Sequence, residues 1–368
     1  MQSDPNIFTQ GWAPPLESND ATAAVEWLLK FAASHRASDI HLQMESKACR
    51  VQLRLDGVLT QIGTLPDEAA KLILGRVKYL AKLKTYVESL PQDGRIAGGD
   101  VGLASDIRVS TYPAVTGEKL VMRLFYEGDQ LAFDQLGFPP EVQNVLENQL
   151  GIRSGMILLT GPAGSGKTTT IYALLQRLLD KDPSHIITVE DPVERVLSGI
   201  MQTEIDLERG LTFAKALKHL LRQDPQVLVI GEIRDEETAA MALRASMTGH
   251  LVIATLHAGS CRGVVERLNV LTDDPDLVAG QIRLILNQRL VRRVCSDCSS
   301  KGCQKCLGSG LKGRVPYIEM LQLSKLDQES MKVKNLAKLE PSFSFEQSRK
   351  HLLSEMLTKE NEINRHTA

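Results

Sequence analysis

Residues 161–168 read Gly-Pro-Ala-Gly-Ser-Gly-Lys-Thr, the full G-x-x-x-x-G-K-S/T spacing of a phosphate-binding loop. A short apolar run, Met156 to Thr160, precedes it, and a helix-prone stretch, Thr168 to Leu179, follows. In a strand–loop–helix context the segment Gly161, Pro162, Ala163, Gly164, Ser165, Gly166, Lys167, Thr168 and Thr169 can surround anionic oxygens with backbone N–H groups. The helix N-terminus adds partial positive charge. Lys167 is placed to reach β- and γ-phosphates, and the Thr168 hydroxyl to ligate Mg²⁺. A plain glycine turn does not account for a lysine and a threonine at these offsets.

A phosphate loop alone does not separate an ATPase from a GTPase, a kinase or a passive binder. The run Val227 to Ile230 reads as a buried strand, and Gly231-Glu232-Ile233-Arg234-Asp235 follows it. Many phosphate-loop enzymes end this strand in Asp or Asp-Glu. Here glycine takes the first of those positions, so Glu232 is the candidate for activating or orienting a water, with Mg²⁺ contact as a second role. The alternative is a surface acid at a strand end. A second acidic strand end runs Ile187-Thr188-Val189-Glu190-Asp191-Pro192-Val193-Glu194. Pro192 biases Asp191 away from helix, and Glu190 is a candidate to hold a metal-bound water or an active-site lysine or arginine. His250 and His257 flank the apolar run Leu251 to Leu256, and a histidine at either end is a candidate γ-phosphate sensor.

Cys295, Cys298, Cys303 and Cys306 form two Cys-x₂-Cys pairs separated by Ser299-Ser300-Lys301-Gly302. In a cytosolic chain such a cluster argues for metal rather than disulfides. Four thiolates suit a closed tetrahedral Zn²⁺ site, and an iron–sulfur site is the runner-up. Gly302 helps the short link fold back. Cys49 and Cys261 stand alone and read as inert reduced thiols.

The elements that must position these groups fall into two domains. The chain has 368 residues and a formal net charge of −2, which implies no global pull toward nucleic acid or anionic lipid. No apolar run approaches the ~20 residues that span a bilayer, and the polar start lacks the features of a signal peptide. The expectation is a soluble cytosolic protein. Residues 1–20 read as a flexible arm and 21–126 as an α+β domain. Within it, a helix is expected over 21–33, strands at 40–43, 49–55, 105–111 and 119–126, and a hairpin turn at Asp56-Gly57. A further helix is expected over 67–86, with Lys71, Lys78, Lys82 and Lys84 on a solvated face. Residues 127–140 read as a linker. Strand-length runs at 156–160, 186–190, 227–230 and 251–256 alternate with helical stretches, which predicts a mainly parallel α/β sheet over 141–325. The phosphate loop follows the first of these strands, where such sheets place ligands. Residues 326–368 read as a helical extension.

Ala37-Ser38-Asp39-Ile40-His41, Pro91-Gln92-Asp93-Gly94-Arg95, Gly117-Glu118-Lys119, the phosphate loop, Ile187 to Glu194, Gly231 to Asp235 and Thr248 to His257 occur in this order. Together they resemble the secretion ATPase family of type II secretion and type IV pilus assembly, over residues 22–325. The resemblance implies a RecA-like ATPase domain behind a smaller PAS-like domain, working as a homohexamer with ATP and Mg²⁺. It implies that Glu190 and Glu232 serve Mg²⁺ and water and that His257 lies near the nucleotide. It also implies that Arg108 and Arg123, from the smaller domain, neutralise phosphates as arginine fingers do. Read alone, both are strand arginines on an exposed face.

Members that drive assembly or secretion carry four cysteines like these, whereas retraction motors usually lack them; the family's two pairs are commonly separated by a longer loop. Only about 20 residues precede the first helix, as in the short members. The implied function is a cytoplasmic motor, peripherally associated with the inner membrane through a platform protein. Its hydrolysis powers pilus or pseudopilus assembly or type II secretion, and no nucleic-acid partner is expected. The alternatives are a retraction motor, a non-hydrolysing regulatory subunit and a DNA-translocating motor.

Overall fold

The computed structural model describes residues 20–126, 131–181, 184–332 and 335–366. The arm expected over 1–20 lies outside them except for Asp20, as does the 127–130 part of the expected linker. The chain divides into two compact units. One comprises the described residues up to 126 together with Arg292–Arg314; the other comprises those of 131–291 and 315–366.

The first unit opens with α1 (Ala21–Ser34), whose first turn is capped by Asp20 Oδ1 accepting from the N–H groups of Thr22 and Ala23 at 2.9 and 3.2 Å. Then follow β1 (Asp39–Met44), β2 (Ala48–Leu55), β3 (Val58–Pro66), α2 (Asp67–Leu80), β4 (Gln92–Ile96), β5 (Ile107–Ala114) and β6 (Gly117–Leu124). The strands form one sheet in the order β3-β2-β1-β6-β5-β4, antiparallel throughout. Alternation decides its two faces. Ile40, Leu42, Val51, Leu53, Val109, Leu120 and Met122 join Val25, Leu28 and Leu29 of α1 and Ile73 and Val77 of α2 in a core. The intervening positions are polar apart from Val121, and the register sets Asp39 between Arg54 and Arg123, with Arg108 opposite Arg123.

One expectation for α2 fails. Lys78 does not sit on a solvated face but is 1% exposed. Its ammonium donates to both carboxylate oxygens of buried Glu118, at 3.0 and 3.1 Å, and to Val87 O at 2.7 Å. A buried charge needs a partner of this kind, and the helix pattern alone gave no sign of one 40 residues away.

The second unit is α/β: α3 (Pro140–Leu150), β7 (Gly155–Thr160), α4 (Lys167–Lys181), β8 (Ile186–Glu190), β9 (Met201–Glu204), α5 (Phe213–Leu220), β10 (Val227–Ile230), α6 (Glu236–Met247), β11 (Leu251–Leu256), α7 (Cys261–Thr272), α8 (Pro275–Gln281), β12 (Ile282–Val294), β13 (Leu311–Gln322), α9 (Lys325–Lys332), α10 (Phe345–Ser354) and α11 (Glu360–Asn364). Seven strands are ordered β13-β12-β7-β11-β10-β8-β9, and the pairs from β12 to β9 are parallel. Both faces are covered, as a parallel sheet requires. Met156 and Leu158 of β7 join the cluster with α5–α8, while Ile157 and Leu159 join the one with α3 and α4. The C-terminal stretch is helical, yet it is no appendage: Phe343, Met331 and Leu339 lie in the cores.

The four-cysteine segment was expected inside the 141–325 domain, but Arg292–Arg314 clusters with the first unit. The reason is local. Leu307 enters the apolar cluster built on α1 and α2, and the Gly313 N–H donates to Asp56 Oδ2 at 2.8 Å. Among the described residues no helix is long and apolar enough to cross a membrane.

Candidate functional site

The phosphate loop leaves the carboxyl end of β7 and ends where α4 begins at Lys167. Gly161, Gly164 and Gly166 have φ of +138, +73 and +88°, a region side chains rarely adopt. The loop is therefore shaped by glycine before any ligand arrives, and the first-turn N–H groups of α4 lack intrahelical acceptors. Lys167 Nζ donates to Gly161 O at 2.9 Å and Pro162 O at 3.0 Å. Burial holds its pKa below the ordinary lysine value, partly offset by the charge of Glu232. The Thr168 hydroxyl donates to Glu194 Oε1 at 3.4 Å.

Glu232 follows β10, beside β11 in the sheet. Its Oε2 accepts from Arg234 Nε at 2.6 Å, and its Oε1 lies 3.3 Å from His257 Nε2. His257 Nδ1 lies 3.3 Å from Gly161 O, and Arg234 reaches Asp191 Oδ2 at 3.3 Å. A line of polar contacts thus runs Asp191–Arg234–Glu232–His257 to the phosphate loop. Parallel neighbours deliver these groups to the carboxyl ends of adjacent strands, so Lys167, Glu232 and His257, spread over 90 positions of the sequence, lie around one loop.

Glu190, at the end of β8, is 6% exposed. Its oxygens accept from Tyr172 OH at 2.5 Å, Thr188 Oγ1 at 2.6 Å and Gln202 Nε2 at 3.1 Å. These donors are neutral, whereas the sequence suggested a metal-bound water or an active-site lysine or arginine as the partner. Burial, then the bond to Glu190, pushes the Tyr172 hydroxyl well above the ordinary tyrosine value. An open cleft lies between Thr168, Tyr172, Glu190, Glu194, Glu232 and Arg234. Tyr172, Gln202 and Arg234 were not singled out as site residues. Tyr172 lies one helical turn beyond Thr168, a spacing that could have marked it; Gln202 on β9 had no such signal.

His250 does not join this group. It precedes β11, at the end of the strand away from His257, and its Nδ1 lies 3.0 Å from both Ala245 O and Thr248 Oγ1. It closes the end of α6. Arg123 and Arg108 lie in the first unit. Arg123 Nε donates to Asp39 Oδ1 at 2.8 Å, and the Arg108 guanidinium stacks 5.2 Å above the Phe125 ring.

The Sγ atoms of Cys295, Cys298, Cys303 and Cys306 all lie within 4.8 Å of one another. Neighbouring pairs stand at 4.0, 3.8 and 3.7 Å, where tetrahedral Zn–S bonds of ~2.3 Å would set sulfurs ~3.8 Å apart. The donor set fits Zn²⁺. Gly302 and Gly310, at φ +91 and +70°, make the short link possible, because a Cβ on either would meet a carbonyl oxygen at 2.6 or 2.4 Å. Burial raises the Cys306 thiol, but the N–H groups of Cys303 and Gly310, each 3.2 Å from its sulfur, bring it down to about 7.

The family described as "Type II/IV secretion system protein" matches residues 18–365. Type II secretion system protein E of Pectobacterium carotovorum subsp. carotovorum is 39% identical over 321 residues, covering 81% of this chain and 64% of that protein. The type IV pilus assembly ATPase PilB of Thermus thermophilus is 37% identical over 337 residues, covering 83% of this chain and 38% of that protein. The chain thus spans less than two thirds of the length of these relatives. In fold it is similar to the Yersinia pseudotuberculosis ATPase DotB, with a TM-score of 0.70 at 23% identity over 94% of this chain and 93% of that one. The chain belongs to the type II/IV secretion system protein family.

Proposed function

We propose that this chain is the subunit of an ATP-hydrolysing motor that powers type II protein secretion or the assembly of a type IV pilus or pseudopilus. The observation that carries the reading is the convergence of Lys167, Glu232 and His257 on one glycine-shaped loop. In this reading the loop's N–H groups and Lys167 bind the β- and γ-phosphates. Glu232, its carboxylate fixed by Arg234 and His257, orients the attacking water and takes up its proton. Thr168, beside the Glu190 and Glu194 carboxylates, offers the all-oxygen surroundings that suit Mg²⁺, which would neutralise charge on the phosphates. Arg108 and Arg123 would add cationic charge from the smaller domain.

The second unit is read as a RecA-like ATPase domain and the first as a PAS-like domain, with the active form a homohexamer. The four cysteines would hold a structural Zn²⁺, a feature that favours assembly or secretion over retraction. The motor would work from the cytoplasm on an inner-membrane platform protein, with no nucleic-acid partner. Steady-state hydrolysis of MgATP tests the reading, with Lys167→Ala as the control. Turnover that Lys167→Ala abolishes supports it. Absence of turnover by the purified oligomer, or wild-type turnover in that variant, sinks it.

A further inference from the structure

We infer that Gln288 is a positioning residue that holds the phosphate loop in its anion-receiving shape; this rests on the nucleotide-binding reading above. Gln288 lies on β12 and is 3% exposed. The register pairs Asn287 with Thr160, so Gln288 stands beside the first loop residue, Gly161. Its amide spans the loop. Nε2 donates to Ser165 O at 2.8 Å, and Oε1 accepts from Thr170 Oγ1 of α4 at 2.9 Å. Its backbone oxygen presses on the loop's start, 2.1 Å from where a Cβ on Gly161 would stand, and Nε2 lies 2.8 Å from where a Cβ on Gly166 would stand.

One residue therefore touches the beginning of the loop with its backbone, and the middle and the helical end with its side chain. The amide donates at one end and accepts at the other, so it serves both partners at once. By engaging Ser165 O, the amide keeps that carbonyl turned toward β12. A carbonyl free to rotate would bring its negative end toward the space where phosphate oxygens belong. Thr170 binds the amide at the other end, so helix and loop hold one spacing. Gly166 leaves room for the amide and Gly161 for the Gln288 backbone oxygen, so both glycines are needed for that space as well as for their backbone angles.

The experiment uses the full-length chain, MgADP as the probe, and Gln288→Leu, which keeps much of the volume and removes both hydrogen bonds. A ligand raises the unfolding midpoint in proportion to RT ln(1 + [L]/Kd). A merely structural role would lower the midpoint with and without MgADP alike and leave the MgADP-induced rise intact. The expected result is a Kd raised about tenfold by equilibrium titration and a correspondingly smaller rise. Thr170→Val, which frees one end of the amide and leaves Gln288 in place, is expected to raise Kd by about threefold. It carries the test if Gln288→Leu does not fold. Unchanged Kd and midpoint rise in the folded variants, with Lys167→Ala losing MgADP, overturn the inference alone. Failure of the parent protein itself to bind MgADP overturns the nucleotide reading and the inference with it.

Discussion

Arg123 Nε donates to Asp39 Oδ1 at 2.8 Å across neighbouring strands, while Arg54 Nε meets the other carboxylate oxygen at 3.1 Å. Asp39 is buried and its two arginine partners are more open. Burial raises the Asp39 pKa, but the hydrogen bonds from Arg123 and Ser38 and the two guanidinium charges bring it below the ordinary carboxylate value. Its stabilising contribution is therefore present above the unfolded value of ~3.9 and lost as pH falls through the folded one. Arg123→Ala is expected to cost about 1 kcal/mol at neutral pH, since Arg54 remains and the lost cation is half in water. Denaturant melts across pH check this: the gap between variant and parent should begin to narrow below about pH 4 and keep narrowing as pH falls further. A gap that does not narrow on acidification would detach the loss from Asp39.

Lys167→Ala and Glu232→Gln should fail differently. The first removes the loop's cationic side chain and should abolish or severely weaken ATP binding. The second keeps the shape beside Arg234 and His257 but loses the carboxylate. It should retain nucleotide while turnover falls by about a hundredfold or more. Near-normal hydrolysis by Glu232→Gln would remove Glu232 from the water-orienting role.

Tyr172→Phe should destabilise the second unit. Glu190 would keep its donors Thr188 and Gln202 but leave Oε2 without the hydroxyl now 2.5 Å away. An unsatisfied buried acceptor costs about 1–3 kcal/mol. Chemical denaturation reads that loss directly. An unchanged midpoint would mean that water replaces the hydroxyl at no cost.

The four thiols should bring one Zn²⁺ per chain through reducing purification. Chelation, or Cys306→Ser, should speed amide exchange over 292–314 and leave the phosphate loop's exchange unchanged, because the segment's contacts with Asp56 and the α1–α2 core are local. Elemental analysis without zinc, or iron–sulfur absorbance, would defeat the assignment.

The legible parts of this chain were those written in short runs. The phosphate loop could be read because its turn, charge and hydroxyl occupy eight consecutive residues, and β7, β8, β10 and β11 because buried parallel strands are unbroken apolar runs. Glu232 and His257 were legible as the first polar groups past such runs. β4 was not, because Gln92-Asp93-Gly94-Arg95-Ile96 pairs through its backbone and shows almost no apolar alternation. Gln288 escaped notice because its partners lie 118 and 123 residues away. The membership of the cysteine segment was hidden for the same reason: a lone Leu307 and the Gly313 N–H bind it to a sheet built some 250 residues earlier.

The Lys78–Glu118 pair makes two distant positions heritable as one. Removing either partner strands the other charge in an apolar interior, at about 3–5 kcal/mol, whereas replacing both with apolar groups of matching volume is commonly neutral or better. Lys78→Met and Glu118→Leu should each fold poorly, and the double variant should recover most of the loss, a coupling that a double-mutant cycle measures. A sequence can therefore leave this arrangement only by crossing an unstable intermediate. The pair acts as a ratchet on substitution in the first unit, and it also fixes the course of the loop from α2 to β4 through the bond to Val87 O.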